Sequence, residues 1–380
     1  MTFAAIVVAA GSASRAGGDK QWRRLGGKPV LRWSVEALLA AGAEDLVVVV
    51  VPGAEAAAAD ALAGLDGWRT ATGDDSRAGS VRNGLEALGG SDDRPVLVHD
   101  AARPFLDRAV IDRVLAGLDG ADGALPALPV ADSLRRGDDG FVSGAVERDG
   151  LWRAQTPQAF RYRTLVDTCA AWTDTPGPAD EASAVERAGG RVRLVAGDAR
   201  LMKLTYPEDF AMAEAMIARQ TRVGQGFDAH RWGPGTSVWL CGVEIPHDQT
   251  LIGHSDADAG LHALTDAILG AMGDGDIGDH FPPTDPQWKG ASSDRFLTHA
   301  LERLTARGGQ LVNVDVTLIC ERPKVKPHRQ AMRERLATLL GLALDAVSVK
   351  ATTTEAMGFT GRGEGLAAQA LATIALPVAP

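Results

Sequence analysis

Between residues 3 and 99, apolar runs of strand length alternate with helix-like stretches: strands at 3–10, 46–51 and 96–99, helical patterns at 30–41 and 54–65. A strand that gives way to a helix before the next strand returns is the βαβ rhythm of a parallel sheet, so this half is expected to be an α/β, Rossmann-like domain. A loop follows Ala10, and Pro29 stands where the next helix begins. That loop therefore lies at the carboxyl end of a strand, where open α/β sheets bind ligands.

The pattern changes after a helical stretch at 209–219, when Thr221 to Gly226 begins a new apolar, glycine-containing segment. A boundary near 218–221 divides the chain into domains 1–220 and 221–380, each long enough to bury a core. The linker is short and not of low complexity, which predicts that the halves stay near one another. The second half reads as α+β, with strands around 238–241, 313–319 and 346–351. Helices are expected at 260–272, 294–307 and 327–340, with a last one from Gly365. Whether its sheet is antiparallel or mixed is left open by the pattern.

Hydrophobic residues make up 45% and charged residues 23% of the 380, the balance of a globular protein. The longest apolar runs fall well short of the roughly 18 residues a membrane span needs. Met1-Thr2-Phe3 opens without a basic segment or signal-type stretch, so no membrane association and a cytoplasmic location are expected. Cys169, Cys241 and Cys320 are odd in number and widely spaced, which suits buried free thiols better than a disulfide framework or a cysteine metal site. The formal charge of −10 argues against nucleic-acid binding, while leaving room for small anions at local basic clusters.

Directly after the first strand comes Ala9-Ala10-Gly11-Ser12-Ala13-Ser14-Arg15-Ala16-Gly17-Gly18-Asp19-Lys20-Gln21. Small residues let backbone N–H groups approach phosphate oxygens, and Arg15 and Lys20 add the positive charge that nucleotidyl transfer requires. The same spacing also suits an ordinary surface loop, and the Walker pattern is missing. A second strand end carries Val98-His99-Asp100-Ala101-Ala102-Arg103-Pro104. Asp100 suits Mg²⁺, which prefers one or two carboxylates plus substrate phosphates, or a ribose; alone, Asp100 and Arg103 also read as a surface ion pair.

These segments, with Pro129-Val130-Ala131-Asp132-Ser133, Thr156-Pro157-Gln158 and Lys203-Leu204-Thr205-Tyr206-Pro207-Glu208-Asp209, resemble the methylerythritol phosphate cytidylyltransferase family over nearly all of residues 1–218. The resemblance implies that Arg15 and Lys20 stabilise the transition state and that Arg148 and Lys203 hold the phosphate of the attacking substrate. It places Ser133 and Thr156 in that pocket and Gly11, Asp75, Ser80 and Asp100 on the CTP side, with Ala10 and Arg103 as further substrate-binding residues. Four positions depart from the family pattern: Asp19 and Trp22 in Asp19-Lys20-Gln21-Trp22 for Pro-Lys-Gln-Tyr, Ser133 for threonine, and Asp74 for glycine.

In the second half, Gly226-Phe227-Asp228-Ala229-His230 is followed by His254-Ser255-Asp256-Ala257-Asp258-Ala259-Gly260-Leu261-His262. In an extended segment Asp228 and His230 share a face, and His262 on the next helix supplies a third donor, the ligand count of a catalytic zinc site. Hydrogen-bonded core histidines give the same spacing. The EF-hand ligand order is absent, so Asp256, Asp258 and Asp266 read instead as partners that orient ligand histidines.

This half resembles methylerythritol cyclodiphosphate synthase from 222 to about 376. The resemblance extends through Gly273-Asp274-Gly275-Asp276-Ile277-Gly278, Val349-Lys350-Ala351-Thr352-Thr353-Thr354-Glu355 and Gly358-Phe359-Thr360-Gly361-Arg362-Gly363-Glu364-Gly365. It implies Asp228, His230 and His262 as ligands of Zn²⁺, or of another divalent metal in its place, with His254 and Thr353 steadying the transition state. Asp276, Ile277 and Gly278 would meet the sugar-like diol, and Thr352, Thr354, Glu355, Phe359 and Arg362 the phosphates and cytidine, with Ser255 a further substrate-binding residue. Pro283 stands where the family often has Asp, and Glu321-Arg322-Pro323-Lys324 resembles its cytosine-side loop.

The two resemblances imply a chain that joins CTP to 2-C-methyl-D-erythritol 4-phosphate with Mg²⁺ and loss of pyrophosphate. It would then cyclise 4-CDP-2-C-methyl-D-erythritol 2-phosphate with loss of CMP. The kinase step between them needs a separate enzyme, with contact between the two a further expectation. A homo-oligomer is implied, with the transferase half a dimer, the cyclase half a trimer whose sites are shared between neighbours, and a larger assembly for the fused chain. Two other classes compete: a sugar-nucleotide pyrophosphorylase fused to a zinc hydrolase, which needs a water nucleophile and a base, and a non-enzymatic nucleotide-binding scaffold.

Overall fold

The first apolar run forms β1 (Phe3–Val8), fully buried along almost its whole length and set inside the main sheet of the first half. In the computed structural model, which describes residues 2–11, 20–90, 94–172, 179–253, 255–282 and 290–378, the chain falls into two compact units, Met1–Met216 and Ile217–Pro380.

In the first unit β1 is followed by a small hairpin, β2 (Arg24–Leu25) and β3 (Lys28–Pro29), and by α1 (Val30–Ala40), β4 (Ala43–Val50), α2 (Glu55–Ala61), β5 (Trp68–Thr72), α3 (Arg77–Leu88) and β6 (Pro95–Asp100). Then come α4 (Arg108–Ala116), β7 (Gly123–Pro129), β8 (Leu134–Asp138), β9 (Phe141–Val146), β10 (Trp152–Ala154) and β11 (Gln158–Arg161). The unit closes with α5 (Tyr162–Ala170), α6 (Glu181–Arg187), β12 (Val192–Ala196) and α7 (Pro207–Met216). Strands run in the order β10-β7-β11-β6-β1-β4-β5, with β12 also on β7. The block β6-β1-β4-β5 is parallel, as the rhythm predicts, whereas β10 and β11 pair antiparallel, so the sheet is mixed. Two apolar clusters, one on each face, bury it under helices.

The second unit contains β13 (Arg219–Pro234), β14 (Ser237–Leu240), β15 (Val243–Pro246), β16 (Gln249–Ile252), α8 (Ala259–Met272), α9 (Ile277–His280), α10 (Asp294–Ala306), β17 (Gln310–Ile319), α11 (Arg329–Leu340), β18 (Val347–Thr352), α12 (Gly358–Gly361) and β19 (Gly365–Pro377). Its sheet is mixed, ordered β16-β13-β19-β17-β18, antiparallel except for β17 beside β18.

The segment from Gly365 corrects the sequence expectation, because it is the strand β19 and not a helix. Alanine favours helix in isolation, but here Ala368, Ala370, Ala372 and Ile374 are all fully buried on alternate positions, and both neighbours, β13 and β17, supply ladder partners. Tertiary pairing outweighs an intrinsic preference of a few tenths of a kcal/mol per residue, on the order of what such scales assign.

Helix α8 lies directly on β13 because Gly224 and Gly226 carry no side chain; a Cβ on either would run into the α8 backbone, at Ala267 and Ala263 respectively. The opposite side of β13 and β19 leaves Val223, Phe227 and Leu371 exposed. All three cysteines are buried free thiols, and burial raises Cys169 to about 12 and Cys320 to about 11. Among the described residues no helix is long and apolar enough to cross a membrane.

Candidate active sites

In the first unit, the parallel strands end together and leave a cavity of about 720 Å³ outside their carboxyl ends. Ala9 to Gly11 extend β1 into its wall, Val51 and Pro52 extend β4, Gly73 to Asp75 extend β5, and Asp100 to Ala102 close β6. Gly73 is required there, since a Cβ would strike Ala10 and crowd Ser80 Oγ at 3.1 Å. Helix α3 starts at the same wall: Ser76 caps it by accepting from Gly79 N–H, and Ser80 Oγ accepts from Asp74 N–H at 3.0 Å. Its free N–H groups and partial positive end suit an anion.

Asp100 is the charge around which this cavity is organised. Its Oδ2 accepts from Lys203 Nζ at 2.8 Å, its Oδ1 accepts from Arg77 Nε and Nη2 at 3.3 Å, and Arg103 Nε lies 3.6 Å away. Burial alone would raise the Asp100 carboxyl, but Arg77, Lys203 and Arg103 outweigh it and hold it well below the ordinary carboxylate range. Arg77 also donates to Glu181 Oε1 at 2.5 Å; Glu181 is fully buried, burial raises its carboxyl, and its Oε2 has no partner among the described residues. Lys20 Nζ donates to Leu204 O at 3.0 Å, next to Lys203.

Behind the wall, His99 Nε2 donates to Arg103 O at 3.0 Å, which leaves Nδ1 to accept from Thr156 Oγ1 at 3.1 Å. Thr156 in turn accepts from Asp100 N–H at 3.0 Å. Burial pushes His99 down to about 4, so it is a neutral strut fixing the Asp100 backbone.

Ala10, Gly11, Lys20, Asp75, Ser80, Asp100 and Lys203 thus line one cavity, with Thr156 buried and Arg103 half-buried beside Asp100. Ser133 and Arg148 do not line it: both are exposed beside the β8–β9 hairpin, where Arg148 is bonded to Ala131 O. Arg15 lies outside the described residues. Sequence reasoning gave neither Arg77 nor Glu181 a role, because the two meet across 104 positions.

In the second unit the two inward positions that follow Gly224 and Gly226 along β13 are Asp228 and His230, facing the first turn of α8 and its His262. Asp228 Oδ2 lies 2.9 Å from His262 Nδ1 and 2.9 Å from His230 Nε2, and the two nitrogens are 3.2 Å apart. The trio forms the one group of this kind among the described residues that could hold a metal ion. Burial would raise Asp228, but hydrogen bonds and charge from His230 and His262 hold it well below its usual value. Burial alone would lower His230, yet Asp228 and Ile252 O raise it.

Asp258 caps α8 through Leu261 N–H and also binds Cys241 and Gly242 N–H, so its work is structural. Asp266, one turn beyond His262 on α8, accepts from Ile277 N–H at 2.8 Å and fixes Asp276 to Gly278 near the trio. Asp276 caps α9 in a reciprocal capping box with Asp279. Ser255 Oγ sits 3.1 Å from His262 Nε2. His254 and Pro283 lie outside the described residues.

Thr352 ends β18, at the other side of the sheet from β13, and Thr353 to Glu355 follow it, with Phe359 in α12 and Arg362 just after that helix. Register puts Thr352, Ile319, Ala367 and Ala229 in one row, so three strand spacings, about 14 Å, separate Thr352 from the trio. Thr353 Oγ1 donates to Glu355 Oε1 at 3.2 Å, Thr354 Oγ1 to Met357 O at 2.6 Å, and Arg362 Nε to Glu364 at 2.6 Å. Within one chain this cluster and the trio lie apart, on different strands of the sheet.

Comparison with known proteins follows the same division. Residues 3–219 match the family model of 2-C-methyl-D-erythritol 4-phosphate cytidylyltransferase, and residues 221–375 match that of the YgbB family. The bifunctional enzyme IspD/IspF of Caulobacter vibrioides (strain NA1000 / CB15N) is 65% identical over 384 residues, covering 99% of this chain and 100% of that protein. Its namesake in Maricaulis maris (strain MCS10) is 53% identical over 385 residues, covering 99% and 100%. The solved structure of the bifunctional IspDF from Campylobacter jejuni is 32% identical, covers 99% of each chain and superposes with a TM-score of 0.51. The chain belongs to the bifunctional IspD/IspF family.

Proposed function

We propose that the first unit transfers CMP from CTP to 2-C-methyl-D-erythritol 4-phosphate with release of pyrophosphate, and that the second converts 4-CDP-2-C-methyl-D-erythritol 2-phosphate to the 2,4-cyclodiphosphate with release of CMP. The observation that carries this reading is the pairing, in one chain, of a cation-lined cavity at parallel strand ends with a separate Asp-His-His trio.

In the transferase cavity, Lys20, Arg77 and Lys203 surround space that phosphates fill, and the α3 N-terminus adds a partial positive charge. The substrate phosphate attacks the α-phosphorus of CTP in line, and Lys20, with Arg15, meets the charge that builds there. Lys203 and Arg148 hold the attacking phosphate. Arg148 and Ser133 stand beside an exposed hairpin whose Phe141 and Val142 are 78% and 70% accessible, which favours a dimer in which that hairpin is covered. Asp100 is the buried carboxylate at the cavity wall and suits Mg²⁺ once phosphates supply the other oxygens. Bound there, Mg²⁺ neutralises charge on the departing pyrophosphate.

In the cyclase unit the donor set fits zinc: one carboxylate oxygen and two imidazole nitrogens converge, and His230 Nδ1 is already committed to Ile252 O at 3.0 Å, which leaves Nε2 a lone pair. Zinc bound there polarises phosphoryl oxygens of the diphosphate. Asp276 to Gly278 position the diol, and the 2-phosphate attacks the β-phosphorus while CMP leaves. Thr352 to Glu355, Phe359 and Arg362 belong to the far half-site, so a complete pocket requires a second copy; the bare sheet face with Val223, Phe227 and Leu371 supports the trimer reading. Contact with the separate kinase is part of the same proposal.

A product assay on the full chain tests this. CTP with methylerythritol phosphate should give pyrophosphate, and the phosphorylated CDP compound should give CMP without uptake of water. Release of inorganic phosphate alone would favour the zinc hydrolase reading, and turnover of neither substrate would favour the scaffold.

A further inference from the structure

The outer nitrogen of His262 meets more than the solvent-facing contact that a surface ligand would have. Nε2 lies 2.9 Å from Ser293 Oγ, and Ser293 is fully buried. Ser293 Oγ donates to Asp256 Oδ1 at short range, while Ser293 N–H donates to Asp256 Oδ2 at 3.0 Å. Asp256 also accepts from Asp258 N–H at 3.2 Å.

These contacts fix directions. A carboxylate only accepts, so the Ser293 hydroxyl proton points at Asp256 and the Ser293 lone pairs face His262. Nε2 must then carry the proton, which frees Nδ1 as the lone pair facing Asp228 and His230. His230 reaches the same end through a backbone carbonyl, Ile252 O. His262 has none and uses a side-chain relay. Ser255 Oγ, 3.1 Å from Nε2, accepts from Ala257 N–H at 3.1 Å, lies 3.4 Å from Ser293 Oγ and has no carboxylate partner among the described residues.

The position of Ser293 supports the same reading. It is the N-cap residue of α10, where a serine hydroxyl ordinarily accepts from the helix's first N–H groups and contributes about 1 kcal/mol. Here it makes no cap bond. The hydroxyl has been diverted from helix stability to the histidine. With its proton aimed at Asp256 and no exposed surface, it is not placed as a nucleophile.

We propose that Ser293, backed by Asp256, is a positioning residue for the metal site: the two fix the tautomer and ring orientation of His262. The inference rests on the metal reading of the Asp228, His230 and His262 trio. Carboxylate partners behind metal-bound histidines commonly change affinity by about 10- to 100-fold.

The test uses the full chain, stripped and titrated with zinc against a chromophoric chelator. Unfolding is followed with and without zinc. Ser293→Ala is expected to bind zinc about 10- to 100-fold more weakly, Asp256→Asn about tenfold, and Ser293→Thr, which keeps the hydroxyl, within about threefold of wild type. Zinc should raise the melting temperature of Ser293→Ala less than that of wild type, whereas a purely structural serine would lower both curves equally. If Ser293→Ala fails to fold, Asp256→Asn and Ser293→Thr carry the comparison. Wild-type affinity in either folded loss variant overturns the proposal, as does a threonine variant as weak as the alanine one. Failure of wild type to bind zinc would instead remove the metal reading itself.

Discussion

His230 Nε2 and His262 Nδ1 face each other at 3.2 Å with one Asp228 oxygen 2.9 Å from both. The outer nitrogens of both rings are held in donor roles, so two lone pairs and a carboxylate point at one another. A cation at their centre resolves that convergence. The trio exists because Gly226 lets α8 close on β13.

Gly226→Ala should therefore weaken metal binding at a position that touches no metal. Its methyl would meet the Ala263 carbonyl, and forced separation of α8 from β13 is expected to cost about 1 to 3 kcal/mol. Denaturant unfolding and zinc titration check this, with pyrophosphate release from the other unit as the internal control. An unchanged zinc affinity would mean that the helix does not set the trio.

Asp100→Asn should reduce CMP transfer about a hundredfold, since Lys203, Arg77 and Arg103 lose the charge that arranges them. It should also cost about 1 to 2 kcal/mol of stability, because the half-buried Arg77 and Arg103 lose a counter-charge while the exposed Lys203 is solvated. Steady-state pyrophosphate release and chemical denaturation measure the two effects separately.

Acid should destabilise the first unit in two stages. His99 titrates at about 4 when folded, against the ordinary 6.5 unfolded, so between those values the unfolded chain binds the extra proton. Stability should fall as pH drops from 6.5 to 4, by about 3 kcal/mol in all. Asp100, whose folded carboxyl lies below its ordinary value, adds its loss only at still lower pH. Denaturation midpoints across pH 4 to 7 check the first stage, and a folded His99→Gln variant should flatten it.

Much of the plan is legible in the sequence because it is local. Asp228 and His230 share a face by strand alternation, and the glycine loop after β1 sits at a strand end for reasons of βαβ geometry. What escapes is whatever depends on partners far along the chain. Glu181 reaches Arg77 across 104 positions, and no local pattern reports it. Ser293 looks like an ordinary helix cap until Asp256 and His262 surround it. Alanine-rich β19 misleads by composition, although its alternation of Ala368, Ala370, Ala372 and Ile374 was a strand signal in view. The distance between Thr352 and the trio depends on strand order, which periodicity leaves undetermined.

The independence of the two pockets is tested most directly by assaying both reactions in Lys20→Ala and His230→Ala chains. Lys20→Ala should lower pyrophosphate release about a thousandfold and leave CMP release from the cyclase substrate within about twofold; His230→Ala should do the reverse. Loss of both activities in either folded variant, or CMP release that survives His230→Ala, would contradict two separate phosphoryl sites of which one is built on the Asp228, His230 and His262 trio.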